Sequence, residues 1–190
     1  ATPTIQKVLN DGGSVVLMSH WGRPLKDIEK KPHLTLADFT LKPVAAHLAT
    51  KLGKEVLFAT DCIGEDAKTM AANLQAGQVL LLENLRYYKQ EEKGDKEFAE
   101  KLSTYGNVYV NDAFGTAHRA HASTAIVADF FSAENKMFGL LMEAEVKAGE
   151  QVLHNAQKPF TAIIGGAKVS DKILIIENLL ERATDIIIGG

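Results

Sequence analysis

The 190-residue chain has 46% hydrophobic and 24% charged residues, an ordinary globular composition on a chain long enough to bury a substantial core. Its 21 Lys and Arg against 24 Asp and Glu leave a formal charge of -3, which argues against a nucleic-acid binder, since such proteins carry a basic excess. The single cysteine, Cys62, excludes an internal disulfide and fits a reducing compartment, and the apolar runs are too short to cross a bilayer; the expectation is no membrane partner and a cytoplasmic location.

In chain order, Thr2 followed by Pro3 reads as an N-cap and a first-turn proline for a helix ending near Gly12. Ser14–Met18 is the first short β-rich run. Val44 to Leu52 reads as a helix with Val44, Leu48 and Leu52 on one stripe and a stop at Gly53. Glu55–Ala59 and Gln78–Leu82 follow as strands; the second contains the unbroken apolar run Val79-Leu80-Leu81-Leu82, expected of a strand covered on both faces. Lys89 to Lys96 (KQEEKGDK) reads as a solvated charged loop. Asp95 to Tyr105 reads as a helix with Phe98, Leu102 and Tyr105 facing inward, and Asn107–Val110 as the next strand. A helical pattern from about Leu140 to His154 leads to a candidate boundary around Asn155 to Pro159. Beyond it come a strand at Thr161–Ile164, a helix with Ile173, Ile176, Leu179, Leu180 and Ala183 on one stripe after Ser170 and Asp171, and a strand at Asp185–Ile188. Strands alternating with helices predict an α/β fold built on a parallel sheet. The chain starts without methionine on a helix and stops at Gly189-Gly190 directly after a strand, so the reading is a fragment.

Four of these strands end in cationic residues. His20 and Arg23 follow the first, Arg86 the third, His118, Arg119 and His121 the fourth, and Lys168 and Lys172 the fifth. The carboxyl ends of a parallel sheet lie on one edge, so these side chains would converge on a crevice. Three guanidiniums around one cleft suit a small, multiply charged anion, which each can bind bidentately. The other reading leaves each arginine paired with a nearby acid or facing water, and leaves His121 a capping or core histidine. The turn Gly165-Gly166-Ala167-Lys168 follows a strand and opens a helix, a setting for phosphate but equally for a structural turn; its spacing matches neither the Walker pattern nor the dinucleotide fingerprint. The histidines lack the cysteine or paired-carboxylate spacing of a metal site, so no metal ligand is expected.

The stretch Asn111-Asp112-Ala113-Phe114-Gly115-Thr116-Ala117-His118-Arg119-Ala120-His121-Ala122-Ser123 resembles a segment of the phosphoglycerate kinase family. Met18 to Pro24, Leu82 to Arg86, Gly139 to Glu145 and Ile164 to Lys172 fit the same family in the same order, covering nearly the whole chain. The resemblance implies a Rossmann-like three-layer α/β sandwich with helices on both faces of its sheet. It implies a substrate domain over 1-138, an interdomain helix over 139-157 and the opening βαβ of a nucleotide-binding domain over 158-190. It further implies reversible phosphoryl transfer between 1,3-bisphosphoglycerate and ADP, giving 3-phosphoglycerate and ATP in glycolysis, in a family that is typically monomeric. His20, Arg23, Arg86 and Arg119 then match the positions that grip the phosphate of 3-phosphoglycerate, with Trp21 and Gly22 in the same loop. Trp21 departs from the aliphatic residue expected there, a packing change beside the site. Gly165, Gly166, Ala167 and Lys168 match the nucleotide-phosphate turn, and Lys172 matches the lysine that contacts both nucleotide and transferring phosphoryl group. Magnesium would arrive with ADP or ATP, its ligands lying outside this chain.

The resemblance also implies what this chain lacks. The family's first strand, with its substrate-binding Asp and Asn and a following catalytic Arg, has no counterpart before Ala1, and the adenine pocket would follow Gly190. The expectation is a polypeptide without useful kinase activity by itself, prone to association through an unpaired strand. The alternatives are a non-catalytic anion-binding module that reuses the phosphoglycerate cleft, or a structural fragment.

Overall fold

A computed structural model describes residues 1–165 and 173–189. The chain divides into two compact units, Ala1–Met142 and Glu143–Gly190.

In the first unit, β1 (Val15–Leu17), β2 (Val56–Phe58) and β3 (Val79–Leu81) form a parallel sheet in the order β1-β3-β2, with Leu17 and Phe58 both opposite Leu81. The central strand is β3, and all three of its residues are buried, as its continuous apolar run requires. Alternation along the strands sends residues to opposite faces. On one face Val15, Leu17, Val56 and Val79 pack with Ile5 and Leu9 of helix α1 (Thr2–Asn10) and with Leu48 and Leu52 of α3 (Lys42–Leu52). On the other face Val16, Leu57, Leu80 and Leu82 pack with Ala67 and Met70 of α4 (Glu65–Ala72) and with Phe98, Ala99 and Leu102 of α6 (Lys96–Ser103). The result is the α/β arrangement, with helices on both faces of a parallel sheet.

A second parallel pair joins β4 (Tyr109–Asn111) to β5 (Lys136–Phe138), a strand without an apolar-alternating signature in the sequence. No ladder links β4 to the three-stranded sheet among the described residues, so the strands form separate sheets instead of one continuous edge. The chain from β4 to β5 runs through short 3-10 turns, and Tyr109 stacks on Phe131 at 5.9 Å between ring centroids.

Several local readings are corrected by the structure. Ala1, not Thr2, is the N-cap residue of α1, because the helix starts one residue earlier; Thr4 instead donates to Asp112. The inward stripe of α3 contains Ala45, Leu48 and Leu52, whereas Val44 lies 43% exposed: the sheet contact is rotated by one position. The charged stretch after Tyr88 is not a solvated loop but the short helix α5 (Lys89–Lys93), closed by Gly94 in the left-handed conformation at φ 65° and burying Glu91 to 1% exposure. Helix α2 (Pro24–Lys30), opened by a buried proline, and α4 have no counterpart in the sequence reading.

Helix α7 (Leu140–His154) spans the division between the units. In the second unit β6 (Thr161–Ile164) and β7 (Asp185–Ile188) pair in parallel around α8 (Ile173–Leu180) in sequence order. Of the stripe expected on that helix, Ile176 and Leu179 are half-buried, while Ile173 and Leu180 are exposed.

Candidate functional site

Beyond the parallel ladder, the loops after β1 and β3 remain hydrogen-bonded to one another: the Leu82 amide donates to the Leu17 carbonyl at 3.0 Å and the Leu85 amide to the Ser19 carbonyl at 3.1 Å. That continuation places the His20–Arg23 loop beside Arg86. Asn84, with no exposed surface, locks it. The Asn84 amide donates to the carbonyls of Trp21 and Phe39, each at 2.9 Å, while its side-chain oxygen accepts from the Arg86 amide at 3.0 Å. Glu83 is buried too, accepting from the Thr40 hydroxyl at 2.6 Å and from the Leu41 and Asn84 amides at 2.8 and 2.7 Å.

Gly22 is required by this geometry. Its φ is 64°, and a Cβ there would sit 2.9 Å from the Phe39 ring. Its carbonyl accepts a 2.8 Å hydrogen bond from Arg86 Nη1. Arg86 itself is 8% exposed, and its Nε has no hydrogen-bond partner. Among the described residues no carboxylate forms an ion pair with Arg23, Arg86 or Arg119. A buried guanidinium left with an unmet donor is costly until an acceptor completes it, and a charged acceptor completes it most strongly.

The loop after β4 reaches the same place. His20 has its pKa lowered to about 4 by burial first, then by the charges of Arg86, His121 and Arg119, with Glu92 opposing. His121, 7% exposed, is lowered by burial and then by Arg86 and Arg119. Arg86 is lowered by burial, against the pull of Glu92, and further by Arg119 and Arg23. His20, Arg23, Arg86, Arg119 and His121 thus share one electrostatic neighbourhood. His118 lies at its exposed edge, where it accepts from Arg119 Nε at 3.1 Å and adds to the lowering of His121. His121, open between cap and core in the sequence, is a buried member of the cluster.

The acids facing this cluster already have other partners. Glu92 is ion-paired with Lys26 of α2 at 3.0 Å, and that hydrogen bond holds its carboxyl below the usual range. Glu91 accepts from the Ser123 hydroxyl at 2.6 Å and the Ser123 amide at 3.1 Å, while burial pushes its pKa up. Arginines therefore outnumber free carboxylates in this cluster, a condition that favours an anion. Trp21 stands 62% exposed in the His20–Arg23 loop, its carbonyl held by Asn84. Sequence reasoning missed Glu83, Asn84 and Glu91, whose roles come from burial and hydrogen bonding.

The residues that precede the second unit's helix are only partly described. Gly165 follows β6 and is exposed. Gly166, Ala167, Lys168 and Lys172 lie outside the described residues. No group of three or more His, Cys, Asp or Glu side chains that could hold a metal ion exists among the described residues.

Comparison with known proteins decides the family. The family model for phosphoglycerate kinase matches residues 1–190. The chain belongs to the phosphoglycerate kinase family. The Porphyromonas gingivalis phosphoglycerate kinase is 49% identical over 213 residues, an alignment covering 100% of this chain and 49% of that protein. A phosphoglycerate kinase of Triticum aestivum described as cytosolic is 50% identical over 188 residues, covering 99% of this chain and 44% of its own length. Among solved structures, phosphoglycerate kinase from Coxiella burnetii superposes with a TM-score of 0.79 at 38% identity, over 99% of this chain and 44% of that one. The Pyrococcus horikoshii phosphoglycerate kinase gives 0.80 at 32% identity, over 99% and 46%. The chain spans about half the length of the phosphoglycerate kinases it matches. No described helix is long and apolar enough to cross a membrane.

Proposed function

We propose that this chain is the phosphoglycerate-gripping half of a kinase that moves a phosphoryl group reversibly between 1,3-bisphosphoglycerate and ADP. The observation that carries the reading is Arg86, a buried guanidinium with an unpartnered Nε and no ion pair among the described residues, in a cleft shared with Arg23, Arg119 and two histidines. In this reading His20, Arg23, Arg86 and Arg119 hold the phosphate of 3-phosphoglycerate, and Trp21 and Gly22 shape the loop that presents them. Arginines suit that task because the planar fork matches phosphate oxygens bidentately.

The domain roles follow the same reading: substrate binding over 1-138, a linking helix over 139-157 and the start of nucleotide binding over 158-190. Gly165, Gly166, Ala167 and Lys168 would take nucleotide phosphates, with Lys172 stabilising charge on the transferring group, since positioning and electrostatics dominate phosphoryl transfer. Magnesium would neutralise the nucleotide phosphates when bound. The described residues offer no ligand set for it, and no step is assigned through it. Because the chain spans about half the length of its relatives, the 190-residue polypeptide by itself is expected to bind 3-phosphoglycerate but to show no ATP turnover. A monomer in the cytoplasm completes the proposal.

Isothermal titration of the chain with 3-phosphoglycerate, beside a coupled ATP assay, tests this. The expected result is binding that weakens by about a hundredfold in Arg86→Ala, with a flat turnover trace. No binding by the folded wild-type chain would overturn the substrate reading; normal turnover would overturn the expectation of inactivity.

A further inference from the structure

Helix α5 seats the loop that carries the second set of cations. Three features meet there. The Glu91 carboxylate, 1% exposed, receives both the hydroxyl and the amide of Ser123, at 2.6 and 3.1 Å. Its own carbonyl accepts from the Ala122 amide at 3.0 Å. Three residues on, Gly94 approaches Ala120 so closely that a Cβ would lie 2.4 Å from that carbonyl oxygen. Helix and loop are thus in register from Ala120 to Ser123, bracketing His121 and directly following Arg119. The same helix begins three residues after Arg86.

A carboxylate so deeply buried, and bonded to Ser123 two residues beyond His121, has no place in gripping an anion. Its burial is costly unless the hydrogen bonds it receives are needed. Both donors come from one residue of the loop, an arrangement that fixes backbone position. Beside the main-chain contacts at Ala122 and Ala120, the Ser123 pair is the side-chain tie between α5 and this loop among the described residues: His118 and Arg119 bond to each other, and the Thr124 hydroxyl returns to the Arg119 carbonyl within the loop itself.

We propose that Glu91 is a positioning residue: through Ser123 it sets the distance between the Arg119–His121 loop and Arg86, and so determines whether both arms of the cleft can hold one phosphate. This rests on reading the cleft as an anion site. Glu91 touches no ligand. It acts through the loop.

Three variants separate this from a merely structural role. Glu91→Ala removes both contacts. Ser123→Ala removes the hydroxyl contact alone. Glu91→Gln keeps the shape: its amide oxygen accepts the Ser123 amide, and its NH2 donates to the Ser123 oxygen, whose proton turns elsewhere. Each variant is read by 3-phosphoglycerate affinity at a temperature well below its unfolding midpoint, and by the NMR titration of the His121 ring, which needs no ligand. The expected pattern is a loss of about tenfold or more for Glu91→Ala, since misplacement of about 1 Å in such sites has large effects. Its His121 midpoint should rise as the ring loses burial and moves away from Arg86. Ser123→Ala should lose less, and Glu91→Gln should restore both readouts. If Glu91→Ala does not fold, Ser123→Ala and Glu91→Gln carry the same comparison. A lowered melting temperature with affinity and His121 titration both unchanged would overturn the proposal, as would failure of Glu91→Gln to restore them. If the His121 midpoint moves as expected while wild-type chain binds no 3-phosphoglycerate, the substrate reading falls and the positioning role stands.

Discussion

The loop after β3 presents Arg86 on a segment buried from Leu82 to Arg86, continuous with the central strand of the sheet. The loop after β4 presents Arg119 on a segment in which Ala113, Phe114, Gly115, Ala117 and His118 are exposed. In the first, the arginine's place follows from the strand: Asn84 and Glu83 pair the backbone groups of Trp21, Phe39, Leu41 and Arg86, and the guanidinium enters already oriented toward the Gly22 carbonyl. In the second, the backbone bonds mostly to itself, and its position relative to the cleft depends on α5. The two arms therefore differ in how they are held: one is preorganised by the sheet, the other is held by a clamp between elements.

That contrast makes graded predictions. The largest effect belongs to Arg86→Ala, which should weaken 3-phosphoglycerate binding by about a hundredfold, from the loss of a paired charge-assisted contact of roughly 3 kcal/mol. Isothermal titration measures it; a loss below threefold would show that the buried arm is not the main anchor. Next is Asn84→Ala, which leaves the Trp21 and Phe39 carbonyls and the Arg86 amide without their side-chain partner. Buried groups so orphaned should lower stability by about 2–3 kcal/mol in urea unfolding, and affinity should fall with it. Arg119→Ala, on the clamped and more open arm, should cost about tenfold in affinity with little change in melting temperature. An effect equal to that of Arg86→Ala would erase the distinction between the arms.

The smallest effect is a pH slope. His20 titrates at 6.5 when unperturbed and at about 4 in the fold, so the unfolded chain holds more protons between those values. Its contribution to stability is complete above pH 6.5 and is lost as pH falls toward 4. His20→Gln should remove part of the fall in melting temperature over that window, measured by circular dichroism. Bound 3-phosphoglycerate should reduce the wild-type slope, because an anion favours protonated His20. An identical slope in the variant would mean that His20 is not held neutral by burial and the arginines.

The legible parts of this protein were those with local signals. The apolar run at Val79 to Leu82 announced a strand covered on both faces, and Gly53 announced the end of α3. The cations after β1, β3 and β4 stood out because they cluster within a few residues of strand ends. The charged stretch Lys89 to Lys96 misled, since its composition is that of a solvated segment; nothing in KQEEK distinguishes Glu91, buried against Ser123, from Glu92, paired at the rim with Lys26. Strand β5 was invisible because Lys136, Met137 and Phe138 are all exposed and carry no alternation.

By itself, the sequence determined the βα alternation, the strand-end cations and the ordered motifs that mark the phosphoglycerate kinase family, because periodicity, turn chemistry and motif order are properties of neighbouring residues. Only the tertiary structure decided which arginine is buried with an unpartnered Nε, which carboxylate is a clamp and which histidine joins the cluster. Those distinctions depend on desolvation and on hydrogen bonds between residues far apart in the chain, such as Asn84 to Trp21 and Arg86 to Gly22.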